Sequence, residues 1–249
     1  MIQIKKRERT LYNNRVKLEF FDEEHKYLVN GNKRIGVTTL LGVLDKPALN
    51  YWKVTQALDY VRANRAALNE DPEKILKAAR DAHKAESQKA ADIGTITHDF
   101  VDSWIKTGGN IKLPDNENVR KAIEAWFKWI AENKVEFYES ELPVYSLKHD
   151  YCGTIDFIAR INGKMYIGDL KTTNTNKRTG TGIYPEYWLQ TAGYWIADTE
   201  ESGRNYDGRC IVRLDKQTGA LEVGYNESNE KDAEAFLAVT KIYKFLNHD

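Results

Sequence analysis

The chain has 249 residues, of which 41% are hydrophobic and 30% charged, and this composition is typical of a soluble globular protein rather than a disordered one. Its 37 basic and 37 acidic residues balance, so any basic surface for a nucleic acid must be local. Two cysteines, Cys152 and Cys210, without a C-x-x-C pair argue against a disulfide scaffold, a thiolate zinc site and an iron–sulfur cluster. No apolar run of about 18 residues and no signal-peptide core occurs, which predicts a cytoplasmic protein without membrane contact.

The chain begins with a basic segment and a group of short strands. Residues 1–15 are rich in lysine and arginine, and we expect them to form a mobile basic arm. Strands are predicted at 16–22 and 25–29 from their β-prone residues. The pair Asn30-Gly31 then predicts a tight turn, because a two-residue type I′ turn needs positive φ at both positions. A short helix should follow at 38–44.

Residues 46–92 are predicted to form a helical, arch-like insertion. A packed helix is expected at 49–60, and Asp71-Pro72 is typical of a helix start with Asp at the N-cap. The segment that follows has few large aliphatic residues, so it should stand off the body of the fold. Three cations share one helical face: Lys77, Arg80 and Lys84. They indicate either a solvated face or a phosphate-tracking surface.

Apolar periodicity resumes at 93–105 and again at 116–133, which predicts two core helices. On the first, His98 and Asp102 are one helical turn apart and therefore share a face. An isolated histidine is more often a surface or core residue than a ligand. An aspartate placed to orient its second ring nitrogen makes a metal-ligand role for His98 plausible.

The central feature of the sequence is the segment 151–173, which follows a predicted strand at 135–147. It contains two β-prone runs joined by Asn162-Gly163, the strongest local signal for a hairpin. With a two-residue loop, counting along both strands places Asp156 opposite Asp169. Lys171 lies on the same face as Asp169, because side chains alternate along a strand.

This hairpin has two interpretations. Asp169 and Lys171 alone suit an ordinary ion pair at a sheet edge, which contributes little stability. The pairing of Asp156 with Asp169 goes further, because like charges in such proximity are destabilising unless a cation lies between them. Paired carboxylates are typical ligands of hard divalent cations, so the hairpin favours a metal site.

The remaining elements complete one domain, predicted to span 1–249, with the catalytic core at 93–225. A polar loop after the hairpin carries Lys177 and Arg178, and a helix at 185–198 presents Gln190 and Tyr194 on one face. Two further strands and a C-terminal helix at 229–249 follow from the same patterns. Three aromatic residues are candidates for base stacking, although each such residue is more often part of a core: Tyr51, Trp52 and Tyr184.

Five ordered motifs carry a resemblance to a known superfamily. They are GTITH at 94–98, ELPV at 141–144, GTID at 153–156, DLK at 169–171 and QTAGY at 190–194. In this order they resemble the PD-(D/E)XK nucleases, in particular the RecB-like branch that includes phage exonucleases and the mitochondrial genome-maintenance exonuclease. The resemblance spans roughly residues 25–198. It departs from the family at Asp102, where many relatives carry Glu, and it leaves Glu139 as an alternative to Glu141, which we prefer because it precedes Leu-Pro-Val.

The resemblance implies an α/β fold with a restriction-endonuclease-like core, a central mixed β-sheet flanked by helices, and an N-terminal helical insertion. It implies Mg²⁺ or Mn²⁺ bound by three side chains and one backbone carbonyl: His98, Asp156, Asp169 and Leu170. Glu141 would lie close by, and Lys171 would position the attacking water or stabilise charge on the scissile phosphate. Gln190 and Tyr194 would steady the lysine and the DNA backbone. The candidate nucleic-acid-binding residues are Lys77, Arg80, Lys84, Lys177, Arg178 and Tyr184.

The function expected from this resemblance is that of a metal-dependent DNA exonuclease. It would act on single-stranded DNA or DNA ends in replication, recombination or repair, in the cytoplasm of a bacterium or a phage-infected host cell. A single-strand-binding protein or a recombinase is the partner that such a role suggests. Two alternatives stay open: a structure-specific endonuclease with the same chemistry, and a non-catalytic nucleic-acid-binding recombination partner.

Overall fold

The computed structural model describes residues 6–173, 182–215 and 218–247. The chain forms two compact units, one of Met1–Val43 with Thr97–Asp249 and the other of Leu44–Ile96. The segment predicted as a helical insertion, 46–92, falls within the second unit. That the whole chain acts as one nuclease domain stays a prediction.

A small antiparallel sheet opens the first unit, with its strands in chain order. The strands are β1 Lys6–Leu11, β2 Val16–Phe21, β3 Lys26–Val29 and β4 Asn32–Arg34. The predicted turn between β3 and β4 is confirmed, with φ of 49° at Asn30 and 79° at Gly31. One face of this sheet is apolar and packs on buried residues of the second sheet, Tyr145 and Cys152.

The prediction of a mobile arm over residues 1–15 is wrong for residues 6–11, because they form β1 and pair with β2 along its whole length. The cations that suggested mobility are held by acids. Lys6 lies 2.6 Å from Glu19, and Arg7 lies 2.8 Å from Asp22. Paired charges of this kind remove the self-repulsion that would keep a basic segment extended.

The second sheet has five strands in the order β5-β6-β7-β8-β9. They are β5 Glu136–Ser146, β6 Tyr151–Ile161, β7 Lys164–Thr173, β8 Gly208–Asp215 and β9 Leu221–Asn226. The β7–β8 pair is parallel and the others are antiparallel. The parallel pair requires a crossover, which a helix provides between the two strands.

Helices of the first unit pack on this sheet, which confirms the predicted α/β class with a central mixed sheet flanked by helices. The helices of the described residues are α1 Val37–Leu40 with a 3₁₀ turn at Leu41–Val43, α2 Pro47–Ala63, α3 Arg65–Leu68, α4 Pro72–Lys106, α5 Glu117–Glu132, α6 Pro185–Ser202 and α7 Glu230–Asn247. The crossover helix α6 packs on β5 to β8, and α5 packs on β8 and β9. In the part of the chain that the structure describes, no helix is long and apolar enough to cross a membrane.

The central hairpin forms as predicted. Asn162 and Gly163 have φ of 48° and 87°, and the residue pairs run from Ile161 with Lys164 to Phe157 with Gly168. This register places the next positions, Asp156 and Asp169, beside each other where the pairing of β6 with β7 stops. Beneath the hairpin, Trp126 of α5 packs against Phe157 with ring centroids 5.6 Å apart, which fixes the buried face of β6.

Two helices differ from the predictions. Residues predicted as separate helices before and after position 92 form one continuous helix, α4, whose start is capped as expected by Asp71, with Lys74 N–H donating to Oδ1 at 3.1 Å. The expected packed face of α2 is wrong, since Leu49 and Leu58 are 41% and 50% exposed. At 100° per residue, the apolar side chains of α2 are spread around the helix and form no stripe.

Candidate metal centre

Three potential metal ligands from three elements converge near the middle of β5 and β6 in the large sheet. They are His98 of α4, Glu141 of β5 and Asp156 of β6. The Nδ1 atom of His98 lies 3.7 Å from Glu141 Oε1 and 3.6 Å from Asp156 Oδ2. All three side chains are partly buried, with 29% of His98 and 15% of each carboxylate side chain exposed.

The backbone places Glu141 in an unusual conformation. Its neighbours Ser140 and Leu142 pair with Phe157 and Ile155, so Glu141 occupies the position opposite Asp156. Its φ of 49° is disfavoured for a residue with a side chain, at a cost of order 1–3 kcal/mol. Strain of this kind within a strand is a feature of functional sites.

The structure also distinguishes Glu139 from Glu141, which the sequence left as alternatives for the accessory acid of the site. Glu141 faces His98, whereas Glu139 lies 41% exposed and 3.6 Å from Arg204. Burial raises the pKa of Glu141, but His98 and Arg7 outweigh burial and lower it. Glu141 is therefore the glutamate that is both placed and charged for a role at this centre.

Asp156 is held by the backbone of the neighbouring strand. The N–H of Leu170 donates to Asp156 Oδ2 at 2.7 Å, so Leu170 adjoins the site as predicted, and ligation by its carbonyl stays a prediction. Burial raises the pKa of Asp156 to about 7; His98 opposes this shift, and the charges of Asp169 and Glu141 add to it.

The pKa of His98 is also raised, which favours its charged form beside the two carboxylates. Burial lowers its pKa, but the charge of Asp156 and the contact with Glu141 outweigh burial and raise the pKa to about 8. The expectation that Asp102 orients the ring is wrong, because that carboxylate accepts hydrogen bonds from Ser140 at 2.6 Å and Lys106 at 2.9 Å. Asp102 thus ties α4 to β5 and places His98 indirectly.

A second group lies on β7 and α6. Lys171 Nζ contacts both carboxylate oxygens of the fully buried Asp169, at 2.9 and 2.8 Å. Gln190 donates to the same carboxylate at 3.1 Å and to the Tyr194 hydroxyl at 2.6 Å. Burial lowers the pKa of Lys171, but Asp169 and Asp156 outweigh it and raise that pKa, so the ammonium stays charged.

Tyr194 is buried, with only 4% of its surface exposed, so it supports Gln190 and cannot reach a DNA backbone. Its ring lies against Gly153, where a Cβ atom would come within 2.7 Å of two ring carbons. The glycine of the GTID motif thus has a packing reason: it lets α6 approach β6 closely enough for Gln190 to reach Asp169.

Two residues of this region, Arg7 and Tyr187, were not predicted from the sequence. Arg7 of β1 donates to Glu141 at 2.6 Å, and Lys171 Nζ lies 5.3 Å from the centroid of the Tyr187 ring. Tyr187 precedes Gln190 by three residues and so shares its helical face, a signal that was present in the sequence. Arg7 is 134 positions from Glu141, and no spacing rule could connect them.

The predicted nucleic-acid-binding residues lie on different elements of the chain. Tyr184 stands at the start of α6 with its ring edge-on to Tyr187, 5.5 Å away. Lys77, Arg80 and Lys84 are exposed on α4 within the unit Leu44–Ile96, and Lys84 is paired with Asp81 at 2.8 Å. Lys177 and Arg178 lie outside the described residues.

The donor set suits a divalent cation. Two ligands that each lie about 2.1 Å from one Mg²⁺ or Mn²⁺ ion are at most about 4.2 Å apart. The two contacts of His98 Nδ1 are shorter than this limit, and the ligand atoms of all three residues lie within 4.8 Å of one another. One imidazole with two carboxylates is a set that accepts Mn²⁺ as well as Mg²⁺. Asp169 is engaged by Lys171 and Gln190, so its own ligation of the ion stays a prediction.

Two solved structures resemble this chain at a low level. The structure of the protein SSO0001 matches with a TM-score of 0.39 and 16% identity, over 78% of this chain and 74% of that one. The alkaline exonuclease LHK-Exo of Laribacter hongkongensis matches with a TM-score of 0.30 and 16% identity, over 57% of this chain and 78% of that one. No family model and no curated protein matches the sequence. Likenesses this distant carry no functional argument.

Proposed function

We propose that the protein is a metal-dependent deoxyribonuclease, and specifically an exonuclease that acts on single-stranded DNA or DNA ends. The observation that carries this proposal is the cluster of His98, Glu141 and Asp156 beside the Asp169–Lys171 pair. The five ordered motifs support it, because the residues they contain are the ones that meet here. A role in replication, recombination or repair in the cytoplasm is part of the same proposal.

In this proposal His98, Glu141 and Asp156 hold Mg²⁺ or Mn²⁺, with Asp169 and the Leu170 carbonyl as further ligands. When bound, the cation lowers the pKa of a ligated water and offsets charge on a phosphate oxygen. The Lys171 ammonium is compact and charged, and it donates to the attacking water or to the phosphate as negative charge grows in the transition state. Tyr187 packs its ring against the ammonium, and Gln190 holds the Asp169 carboxylate that the ammonium contacts.

The substrate-binding part of the proposal involves residues outside the metal cluster. The Tyr187 ring lies close to Lys171, and the Tyr184 ring packs edge-on against Tyr187. Base stacking on such rings contributes about 1–3 kcal/mol per base without sequence preference. Lys77, Arg80 and Lys84 would contact phosphates. Lys177 and Arg178 keep that role as a proposal from sequence alone.

The same chemistry serves a structure-specific endonuclease, which is the second candidate function. The preference for an exonuclease rests on the resemblance to the RecB-like branch. A non-catalytic DNA-binding protein is the least favoured alternative, because Lys171 is held against Asp169 in an arrangement that DNA binding alone does not need.

Cleavage of matched linear and circular single-stranded DNA, with Mn²⁺ or Mg²⁺, tests the proposal. We expect the linear form to be degraded and the circle to survive. Cutting of the circle would establish the endonuclease, and intact DNA of both forms would remove nuclease function. Substrate labelled at the 5′ or the 3′ end, sampled over time, then gives the polarity.

A pair of variants assigns the activity to this site. Asp169→Asn should abolish cleavage and retain DNA binding. The control is Asp207→Asn, an exposed acid whose carboxylate accepts from the Met165 N–H at 2.7 Å outside the cluster; it should cleave like the unmodified protein. Full cleavage by Asp169→Asn would place the chemistry elsewhere.

A further inference from the structure

Arg7 joins the small N-terminal sheet to the candidate metal centre. Its side chain is 13% exposed, with Nη1 2.6 Å from Glu141 Oε2 and Nη2 2.8 Å from Asp22 Oδ1. The guanidinium carbon lies 5.7 Å from the centroid of the Phe20 ring. These contacts on several sides fix the direction in which Arg7 reaches Glu141.

The two carboxylate oxygens of Glu141 have different surroundings. Oε2 accepts the bond from Arg7, while Oε1 is the oxygen that faces His98 Nδ1 at 3.7 Å. The backbone of Glu141 departs from strand geometry, with φ of 49°. Strand alternation therefore does not determine where this carboxylate points, and a separate contact is needed to orient it.

We propose that Arg7 is a positioning residue of the metal centre: it holds one oxygen of Glu141 so that the other faces a divalent cation beside His98 and Asp156. It acts through Glu141 and touches neither the cation nor the DNA. This inference rests on the proposed function, because it concerns the cation that this function uses.

The direction in which Mn²⁺ affinity changes when Arg7 is replaced distinguishes a positioning role from a purely electrostatic effect of its charge. Removing a guanidinium from the surroundings of a metal site reduces the repulsion of the cation, so charge alone would tighten metal binding. Loss of the contact that orients a ligand weakens binding, typically by about 10–100-fold. A decrease in Mn²⁺ affinity is therefore the signature of positioning.

The test is Mn²⁺ binding to the full chain without DNA, followed by the electron paramagnetic resonance signal of free Mn²⁺. Arg7→Met should weaken binding about tenfold or more. The matched control is Arg9→Met: Arg9 lies on the same face of β1 and also reaches β5, at the Pro143 carbonyl, 2.6 Å away. We expect its affinity to be unchanged. Unchanged or tighter binding by Arg7→Met would overturn the inference.

A second comparison tests whether Arg7 acts through Glu141. In a Glu141→Gln background, Arg7→Met should cause no further loss of Mn²⁺ affinity, because the group it positions is already gone. The same fold loss in both backgrounds would refute the inference. If Arg7→Met does not fold, Arg7→Lys replaces it, since an ammonium keeps the charge without the fork that bridges Glu141 and Asp22; weaker binding supports the inference and unchanged binding overturns it.

Failure of the inference and failure of the proposed function are distinguishable. If the unmodified protein binds no Mn²⁺, the metal-dependent function fails and the role of Arg7 fails with it. If the unmodified protein binds Mn²⁺ and Arg7→Met binds it equally well, only the role of Arg7 is lost.

Discussion

At the scale of single residues, the candidate centre is a set of charged side chains that hold one another in place through direct contacts. Asp156 is shared between His98 and the Leu170 N–H, and Lys171 neutralises Asp169. In the absence of metal, protons held by His98 and Asp156 partly offset the negative charge of the cluster. A divalent cation would displace these protons, which is the basis of the pH prediction that follows.

Metal binding should depend on pH. Since the pKa of His98 is raised to about 8 and that of Asp156 to about 7, both groups hold protons at pH 6 that an ion must displace. Mn²⁺ affinity should therefore rise as pH increases from 6 to 8. Isothermal titration calorimetry across this range checks the sign, and proton release on binding should be largest at the acidic end. An affinity that does not change with pH would contradict the assignment of these ligands.

The two glutamates of β5 provide a matched pair of variants. Glu141→Gln removes a charged ligand and should weaken Mn²⁺ binding by about tenfold or more. Glu139→Gln, two positions away on the same strand, should leave affinity unchanged because its contact is with Arg204. Equal effects of the two substitutions on Mn²⁺ binding would show that Glu141 is no ligand.

Lys171 should separate metal binding from turnover. Lys171→Met should bind Mn²⁺ at least as well as the unmodified chain and lose cleavage by about 100-fold or more, because it removes a donor to the developing charge. Lys164→Met, at the other end of β7 and paired with Glu227 at 2.6 Å, is the control and should cleave normally. Retained turnover in Lys171→Met would remove the lysine from the chemistry.

At the scale of elements, the placement of the site depends on how closely α6 approaches β6. Gly153 permits this approach, since a Cβ there would lie 2.7 Å from the Tyr194 ring and 3.3 Å from Val37 Cγ2. Gly153→Ala should destabilise the fold by about 1–3 kcal/mol through overpacking. Urea unfolding measures this loss. Gly42→Ala is the control because, among the described residues, no atom beyond its chain neighbours and its own turn lies within 4 Å of an added Cβ. Equal stability of the two variants would contradict the packing account.

Elements also show what local sequence determines. The Asn162-Gly163 turn and the register of the hairpin follow from rules that act over two residues, and both were predictable. Strand β1 was not, because its cations are placed by partners distant in sequence, among them Glu141 and Asp22. Local charge was therefore a misleading guide to its conformation.

At the scale of the whole molecule, the candidate centre lies entirely within the unit formed by Met1–Val43 and Thr97–Asp249. Counting along a hairpin could bring Asp156 and Asp169 together. The contact of His98 with Glu141 needs the fold, and the sequence indicated it only through the order of motifs. The contact of Arg7 with Glu141 is visible only in the fold, because no sequence motif includes Arg7.

The most direct test of the central claim is the anomalous diffraction of Mn²⁺ in crystals of the protein grown or soaked with the ion. The account predicts an anomalous peak bonded to His98 Nδ1 and to carboxylate oxygens of Glu141 and Asp156, close to Lys171. Mn²⁺ bound elsewhere with this cluster vacant, at a concentration that supports DNA cleavage, would contradict it.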